Sequence, residues 1–540
     1  MQTTPPVAGD VLALDKVTLA ASTVVEPLVA NWCAFSYLLP PVTASLYFTN
    51  YQLALLNSYI EQPESHAKAA ADPHLSGGPF VNIAPSRIAD VVRLRDDSLR
   101  VFDENKKLAE ELAAFLNAFA VDAADGLAIA PWYGRVSERF RPFVELVYDY
   151  HHRPHVRFIE PLTYHSPLYR RESQGLRVFS LNRDTDRPYF MNTPRLPGGG
   201  GGEQFFSTPF DTDACKAITE LSSAPLAFSE LRERLELTDE DAESLAQLLV
   251  PAAPVTARRP SNVYTYLGHA SVMTHWKGTT VITDPVISVT PSGGGEPRYS
   301  FDDLPEHIDY VAITHNHHDH FALETLMRLA PRIGTLLVPR ATGFVYGDVS
   351  LKSIAKRCNI RNVVEMDALD SIPFPDGEII AIPFLGEHSD LAHSKNAYAV
   401  RTGKRCAFFG ADSDCLNDQM YSVVRSAVGA VDSVFIGTEN VGGPLSWTCG
   451  PLLPSPPSRQ RNQSRRSHGC DAKRALRVAE VLGATRVFCY GMGLEPWVRH
   501  LLGAAMSADS PQLLTAHEFV RNARAAGYEA RLLHGIASFD

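Results

Sequence analysis

The chain has 540 residues, 45% of them hydrophobic and 21% charged, with a formal net charge of −11. Such a composition excludes wholesale disorder, the length exceeds one ordinary core, and the acidic balance argues against a nucleic-acid partner in bulk, though not against one local basic patch. No apolar run is long enough to span a bilayer, so no membrane association is expected. The eight cysteines form no Cys-x-x-Cys pair and signal neither a disulfide framework nor a zinc ribbon. The first residues lack a basic segment followed by an apolar one, so no signal peptide is read and a cytoplasmic location is expected.

Residues 1–255 read as an N-terminal α+β domain without a recognisable site. Leu108, Leu112, Phe115, Leu116 and Phe119 recur at helical spacing and predict an amphipathic helix over 103–119. Phe140, Phe143, Val144 and Val147 predict a second over 136–148. Short strands are expected at 156–159 and 176–181. His151, His152, His155 and His165 alternate with Arg and Pro and lack a carboxylate at ligand spacing, so they read as surface or core histidines. Pro197 and the glycines 198–202 read as a flexible loop or hinge, helices are expected at 227–235 and 239–249, and residues 251–254 read as a linker.

Residues 256–540 read as a second, catalytic domain. Strands are expected at 263–267, 271–276 and 279–283, the last two joined by a tight turn at Lys277 and Gly278. His269 lies between the first two, and Asp284 follows the third. A buried strand at 310–314 runs into a loop carrying His315, His317, His318, Asp319 and His320. Further strands are expected at 335–338, 378–384, 397–401, 406–409 and 487–490, with helices at 323–329 and 471–483. Two of those strands end in Glu387 with His388 and in Asp412 with Asp414.

The histidine loop is a metal site. Imidazoles at alternate positions past a strand end, followed by Asp-His, can converge on two ions, His315 and His317 on one, Asp319 and His320 on the other. Asp412 is favoured over Asp414 as a bridging carboxylate because it sits nearer its strand. The residues Glu387 and His388 decide the chemistry. A histidine there suits zinc and a polarised water, whereas a carboxylate gives a hard, oxygen-rich set that suits non-haem iron.

The order His-x-His-x-Asp-His from His315 to His320 resembles the metallo-β-lactamase fold at every fixed position. The resemblance implies an α+β chain whose C-terminal half is an αββα sandwich with the metals at one sheet edge. In that fold an aspartate in the place of Asp284 sits behind the ligand histidines and accepts from a ligand N–H. The fold's last histidine has no counterpart among Phe488, Cys489, Tyr490 and Gly491, which leaves His468, Cys489 and His500 as candidates for a seventh ligand.

A closer resemblance rests on Gly386-Glu387-His388 and on the stretches from Gly443 to Trp447 and from Gly491 to Trp497. These resemble the diiron β-hydroxylases of nonribosomal peptide biosynthesis, the chloramphenicol-pathway family. The resemblance implies that Glu387 is an iron ligand and catalytic. It also implies two iron ions, O₂ as co-substrate and an external electron donor. The substrate would be an amino acid held as a thioester on a carrier domain, and the N-terminal domain would serve dimerisation and carrier docking. The rival reading is a zinc-dependent hydrolase of a thioester, lactone or phosphodiester using His388. Finally, the Pro/Ser-rich stretch 455–466 holds Arg459, Arg461, Arg465 and Arg466 without an acidic residue, and reads as a mobile insertion or as a steering element for an acidic partner.

Overall fold

A computed structural model describes residues 11–12, 14–198, 202–253, 263–386, 393–503 and 506–540. In the C-terminal half, two seven-stranded mixed sheets lie face to face. One runs, in spatial order, Val363–Met366, Ile333–Pro339, Ile308–Ala312, Thr279–Thr283, Ser271–Trp276, Tyr264–Gly268 and Ala537–Phe539. The other runs Ser371–Phe374, Gly377–Pro383, Asn396–Thr402, Arg405–Phe409, Ser433–Ile436, Arg486–Cys489 and Glu529–Leu532. Both faces of their inner strands are apolar, as strands sandwiched between two layers require. Ile379 and Ala381 pack into the core between the sheets, while Ile380 and Ile382 pack outward under helices Asp418–Val428, Ala472–Leu482 and Pro511–Ala525. Phe435 centres the inner core, its ring 4.9 Å from Phe409 and 4.6 Å from Phe488. The chain is an α+β protein with a C-terminal αββα sandwich.

The outer face of the first sheet is covered from two sources. Helices Leu323–Leu329 and Leu351–Arg357 supply one part, and the N-terminal half supplies the other, so that Val311, Ile313 and Leu336 share one core with Val24 and Phe35. Strands Thr279–Thr283, Ile308–Ala312 and Ile333–Pro339 are parallel neighbours, so their C-terminal ends meet at one edge. That edge receives Asp284 and the histidine loop.

The N-terminal half is built on a four-stranded sheet, in order Trp32–Cys33, Thr23–Val29, Gln174–Ser180 and Glu203–Phe206. The expected helix over 103–119 is present as Asp103–Asp122 and buries Leu108, Leu112, Phe115 and Phe119. The helix expected over 136–148 is not formed. In its place Arg141–Phe143 makes a short 3₁₀ turn, and Val144–Tyr148 is a strand paired antiparallel with Pro154–Phe158. Pro142 lacks the N–H that a helix interior needs, and the buried Val144 and Leu146 flank the exposed Glu145 with period two.

One buried charge fastens the N-terminal half to the metal edge. Glu26, wholly buried in strand Thr23–Val29, lies 2.9 Å from Arg195 Nε, 2.8 Å from Arg187 Nη2 and 3.5 Å from Arg177 Nη1. Arg187 also reaches Glu324 at 2.6 Å, on the helix that follows the histidine loop. Burial alone would raise the Glu26 carboxyl, but Arg195, Arg187 and Arg177 more than offset it and hold it well below the usual range. A depressed carboxyl stabilises the fold above its unfolded value and loses that contribution as pH falls through the folded one. Glu26→Ala leaves the buried Arg195 without its carboxylate, while Arg187 keeps Glu324 and Arg177 keeps Glu203, and it is expected to cost about 3–5 kcal/mol near neutral pH. Chemical denaturation checks this, and the difference from wild type shrinks in acid.

Candidate metal centre

The site is built where strand ends force the backbone to turn. Asp284, which follows strand Thr279–Thr283, has φ 40°, and His269 and Ala411 beside it have φ 52° and 46°. Three non-glycine residues in the left-handed region at one edge are costly, and such strain persists where packing over-determines it. Asp284 is held by its neighbours: Thr314 donates to it through its backbone N–H at 2.7 Å and its hydroxyl at 2.6 Å. Its Oδ2 lies 2.8 Å from His320 Nδ1.

Two sets of donors converge there. His315, His317 and Asp412 form one, and His269, Asp319 and His320 the other, each with ligand atoms within 4.8 Å of one another. Asp412 faces both, its Oδ2 3.5 Å from His315 Nε2 and 3.2 Å from His320 Nε2. Asp319 Oδ2 lies 3.0 Å from His269 Nε2 and 3.6 Å from His320 Nε2. Asp414 turns elsewhere, to the backbone N–H of Cys415 at 2.7 Å and to Arg474 Nε at 3.0 Å. His318 also leaves the cluster: its Nε2 lies 2.6 Å from the Leu501 carbonyl and its ring 3.9 Å from Phe190.

The candidates for a further ligand are placed apart from both sets. His468 Nδ1 lies 3.3 Å from Asp414 Oδ2, Cys489 Sγ lies 3.4 Å from Thr438 Oγ1, and the His500 carbonyl accepts from Phe190. None of the three joins a donor set among the described residues. Glu387 and His388 lie outside the described residues. His269 carried little weight in the sequence, where its only signal is its place after Gly268 between two strands, yet it stands beside Asp319.

The electrostatics of the cluster suit cations. Burial, reinforced by neighbouring imidazoles, holds His315 and His317 below the usual histidine value, the neutral form that ligates. Burial would lower His320 too, but Asp412, Asp319 and Asp284 around it prevail and hold it well above. For Asp412, burial would raise the carboxyl, but His320 and His315 hold it well below the usual range. His269 Nδ1 is buried and makes no hydrogen bond among the described residues. Buried polar atoms are rarely left so, and anionic oxygen with neutral imidazole is a donor set for iron or zinc. The residues fit two metal ions.

A cavity of about 160 Å³ opens onto His317, Asp319 and Asp412. Phe35, Tyr37, Tyr47 and Tyr189 wall it from the N-terminal half, and Gly442, Gly443 and Trp447 from the catalytic half. The N-terminal half, read from sequence as having no site, therefore contributes much of this one. Ser36 fixes the arrangement, its hydroxyl donating to the Asn316 carbonyl inside the histidine loop at 2.8 Å.

Comparison with known proteins bears directly on what such a site does. Residues 18–253 match the diiron non-heme β-hydroxylase N-terminal domain, and residues 264–369 the β-lactamase superfamily domain. The 4-amino-L-phenylalanyl-[CmlP-peptidyl-carrier-protein] 3-hydroxylase of Streptomyces venezuelae is 33% identical over 527 residues, covering 94% of this chain and 97% of that one. This chain belongs to the diiron β-hydroxylase family. The crystal structure of CmlA, a diiron β-hydroxylase from Streptomyces venezuelae, superposes with a TM-score of 0.89 at 31% identity over 97% of this chain and 99% of that one. A Glu-to-Asp variant of CmlA gives 0.87 at 32% identity, with the same coverage. Membership in the diiron β-hydroxylases makes the chain an O₂-dependent monooxygenase that uses two iron ions and an external electron donor. The rival zinc-hydrolase reading is set aside. No helix among the described residues is long and apolar enough to cross a membrane.

Proposed function

We propose that this protein β-hydroxylates an amino acid held as a thioester on a carrier domain, with each part of the site in a defined role. His315, His317 and Glu387 hold one iron, Asp319 and His320 the other with His269 beside them, and Asp412 bridges the pair. The observation that carries this is the position of Asp412, one carboxylate oxygen facing His315 at 3.5 Å and His320 at 3.2 Å. When bound, the diiron pair supplies dioxygen reduction and transfer of one oxygen atom into a Cβ–H bond. The chain supplies the rest. Asp284 accepts from His320 Nδ1 and so fixes which ring nitrogen faces the metal, and carboxylates placed in this way also raise ligand basicity.

The aromatic wall of Phe35, Tyr37, Tyr47 and Tyr189 excludes water and presents a flat apolar surface to the substrate's side chain. Holding Cβ against the metal-facing side of the cavity makes the reaction effectively unimolecular. The relative's name gives its substrate as 4-amino-L-phenylalanyl on a peptidyl carrier protein, and the aromatic cavity suits a substrate of the same tethered kind here. Residues 1–255 act as the domain that closes the cavity and 256–540 as the catalytic domain. All eight cysteines are buried, which suits the reducing cytoplasm in which we place the protein. The test is to supply the reduced enzyme with an aminoacyl-carrier protein and heavy-isotope dioxygen. A product one oxygen atom heavier, with the label on Cβ, is expected. Release of the amino acid by thioester hydrolysis without label would contradict the proposal.

A further inference from the structure

The basic stretch after the cavity wall is not a loose insertion. Arg459–Ser464 is a short helix, and it is strapped to the wall of the metal cavity. The Ser446 backbone N–H donates to Asn462 Oδ1 at 2.7 Å, and Arg466 Nε donates to the Gly442 carbonyl at 2.8 Å. Gly442 packs so closely on Ser467 that a Cβ there would lie 1.4 Å from its carbonyl oxygen, so only glycine fits. At the far end of the wall, Asn50 of the N-terminal half donates to the Pro451 carbonyl at 2.8 Å. Gly442, Gly443, Trp447 and Thr448 line the cavity itself.

What this strapped segment shows to solvent is cationic and apolar. Arg459 and Arg461 are exposed, and among the described residues no carboxylate pairs with either. Val441 and Trp447 beside them are 40% and 42% exposed. Residues 455–466 hold four arginines and no acidic residue, in a chain whose net charge is −11. Two exposed guanidinium groups next to an exposed indole, at the rim of a catalytic cavity, form a surface for a partner that is acidic and carries a phosphate.

We infer that helix Arg459–Ser464 and the wall segment it is strapped to are the landing surface for the carrier domain. Arg459 and Arg461 grip the phosphate at the base of the tethered arm and the acidic residues around it, Val441 and Trp447 meet apolar residues beside them, and the arm enters the cavity past Trp447. This rests on the proposed function, which supplies the carrier as partner. Guanidinium groups hold phosphate bidentately, and exposed charges raise the encounter rate in a salt-dependent way without altering the chemical step.

The test compares wild type with the double variant Arg459→Ser/Arg461→Ser on two substrates, the aminoacyl-carrier protein and the same aminoacyl group on free pantetheine. A control, Arg93→Ser/Arg100→Ser, removes equal charge from exposed positions on helix Ile88–Val101. For the carrier substrate, the KM of the double variant is expected to rise on the order of tenfold with kcat unchanged, and its salt dependence to flatten. The pantetheine substrate and the control variant should behave as wild type. An unchanged KM for the carrier substrate at low salt would overturn the inference. If wild type hydroxylates neither substrate, the proposed function fails by itself. Docking is then decided by anisotropy of a fluorescent phosphopantetheinyl carrier, where weaker binding by the double variant supports it and equal binding overturns it.

Discussion

Asp412→Asn is expected to purify with neither metal ion retained, its affinity lowered by at least a factor on the order of a hundred. The substitution keeps the shape of the side chain and removes its charge. Its effect falls on both donor sets at once because Asp412 Oδ2 faces His315 and His320 together. Asparagine removes the one anion that faces both donor sets and leaves Asp319, with Glu387 under the proposed ligand set, to offset two divalent cations in a buried site. Asp284→Asn makes the contrast. Its contact is to the outer nitrogen of His320, and the Thr314 N–H holds the other oxygen, so a loss of roughly ten- to a hundredfold in affinity is expected with both sites still able to fill. Elemental analysis after dialysis against a chelator, alongside circular dichroism to confirm folding, separates the two. Retention of both metals in Asp412→Asn would remove the bridge from the proposal.

The second large effect concerns the adjacent pair Glu387 and His388. Adjacent side chains rarely both serve one metal, and the proposed ligand set assigns Glu387 rather than His388 to the iron. The backbone entering this segment is fixed: Gly386 has φ 83°, and a Cβ on it would lie 2.8 Å from Asp414 Cβ. Under the proposed ligand set, Glu387→His replaces a hard anionic donor with imidazole, shifts the site toward zinc and abolishes hydroxylation. His388→Ala keeps both irons and most of the activity. Metal analysis of the two proteins grown with iron and zinc in equal supply reads the outcome. Loss of metal in His388→Ala with retention in Glu387→Ala would reverse the assignment.

Much of the catalytic half is legible in its sequence because its signals are local. The buried run of strand Thr279–Thr283, the turn at Lys277 and Gly278, and the Gly483 stop with φ 82° each act within a few residues. The spacing from His315 to His320 is likewise a property of one loop. The cavity is different. Phe35, Tyr37 and Tyr47 stand in an apolar stretch that reads as ordinary core, and the bond that brings Ser36 to Asn316 spans 280 positions. No short-range pattern encodes that contact. His269 carries little signal in the sequence for the same reason, since its partner Asp319 is 50 positions away. The segment 136–148 departs from its helical period for another cause. Its aromatic and branched residues satisfy a helical period by count, but Pro142 and the buried Val144 and Leu146 around exposed Glu145 favour a strand once residues 154–158 are present to pair with. Glu26 was legible in principle, as a lone acid inside an apolar strand, but its three arginines come from positions 177, 187 and 195.

The metal content of the wild-type protein tests the central claim most directly. Protein from iron-supplemented growth is assayed for iron and zinc per chain, then reduced by two electrons and exposed to dioxygen. Two irons per chain, with dioxygen consumed only after reduction, is the predicted result. Full occupancy by zinc under the same growth, with no dioxygen consumption, would contradict it.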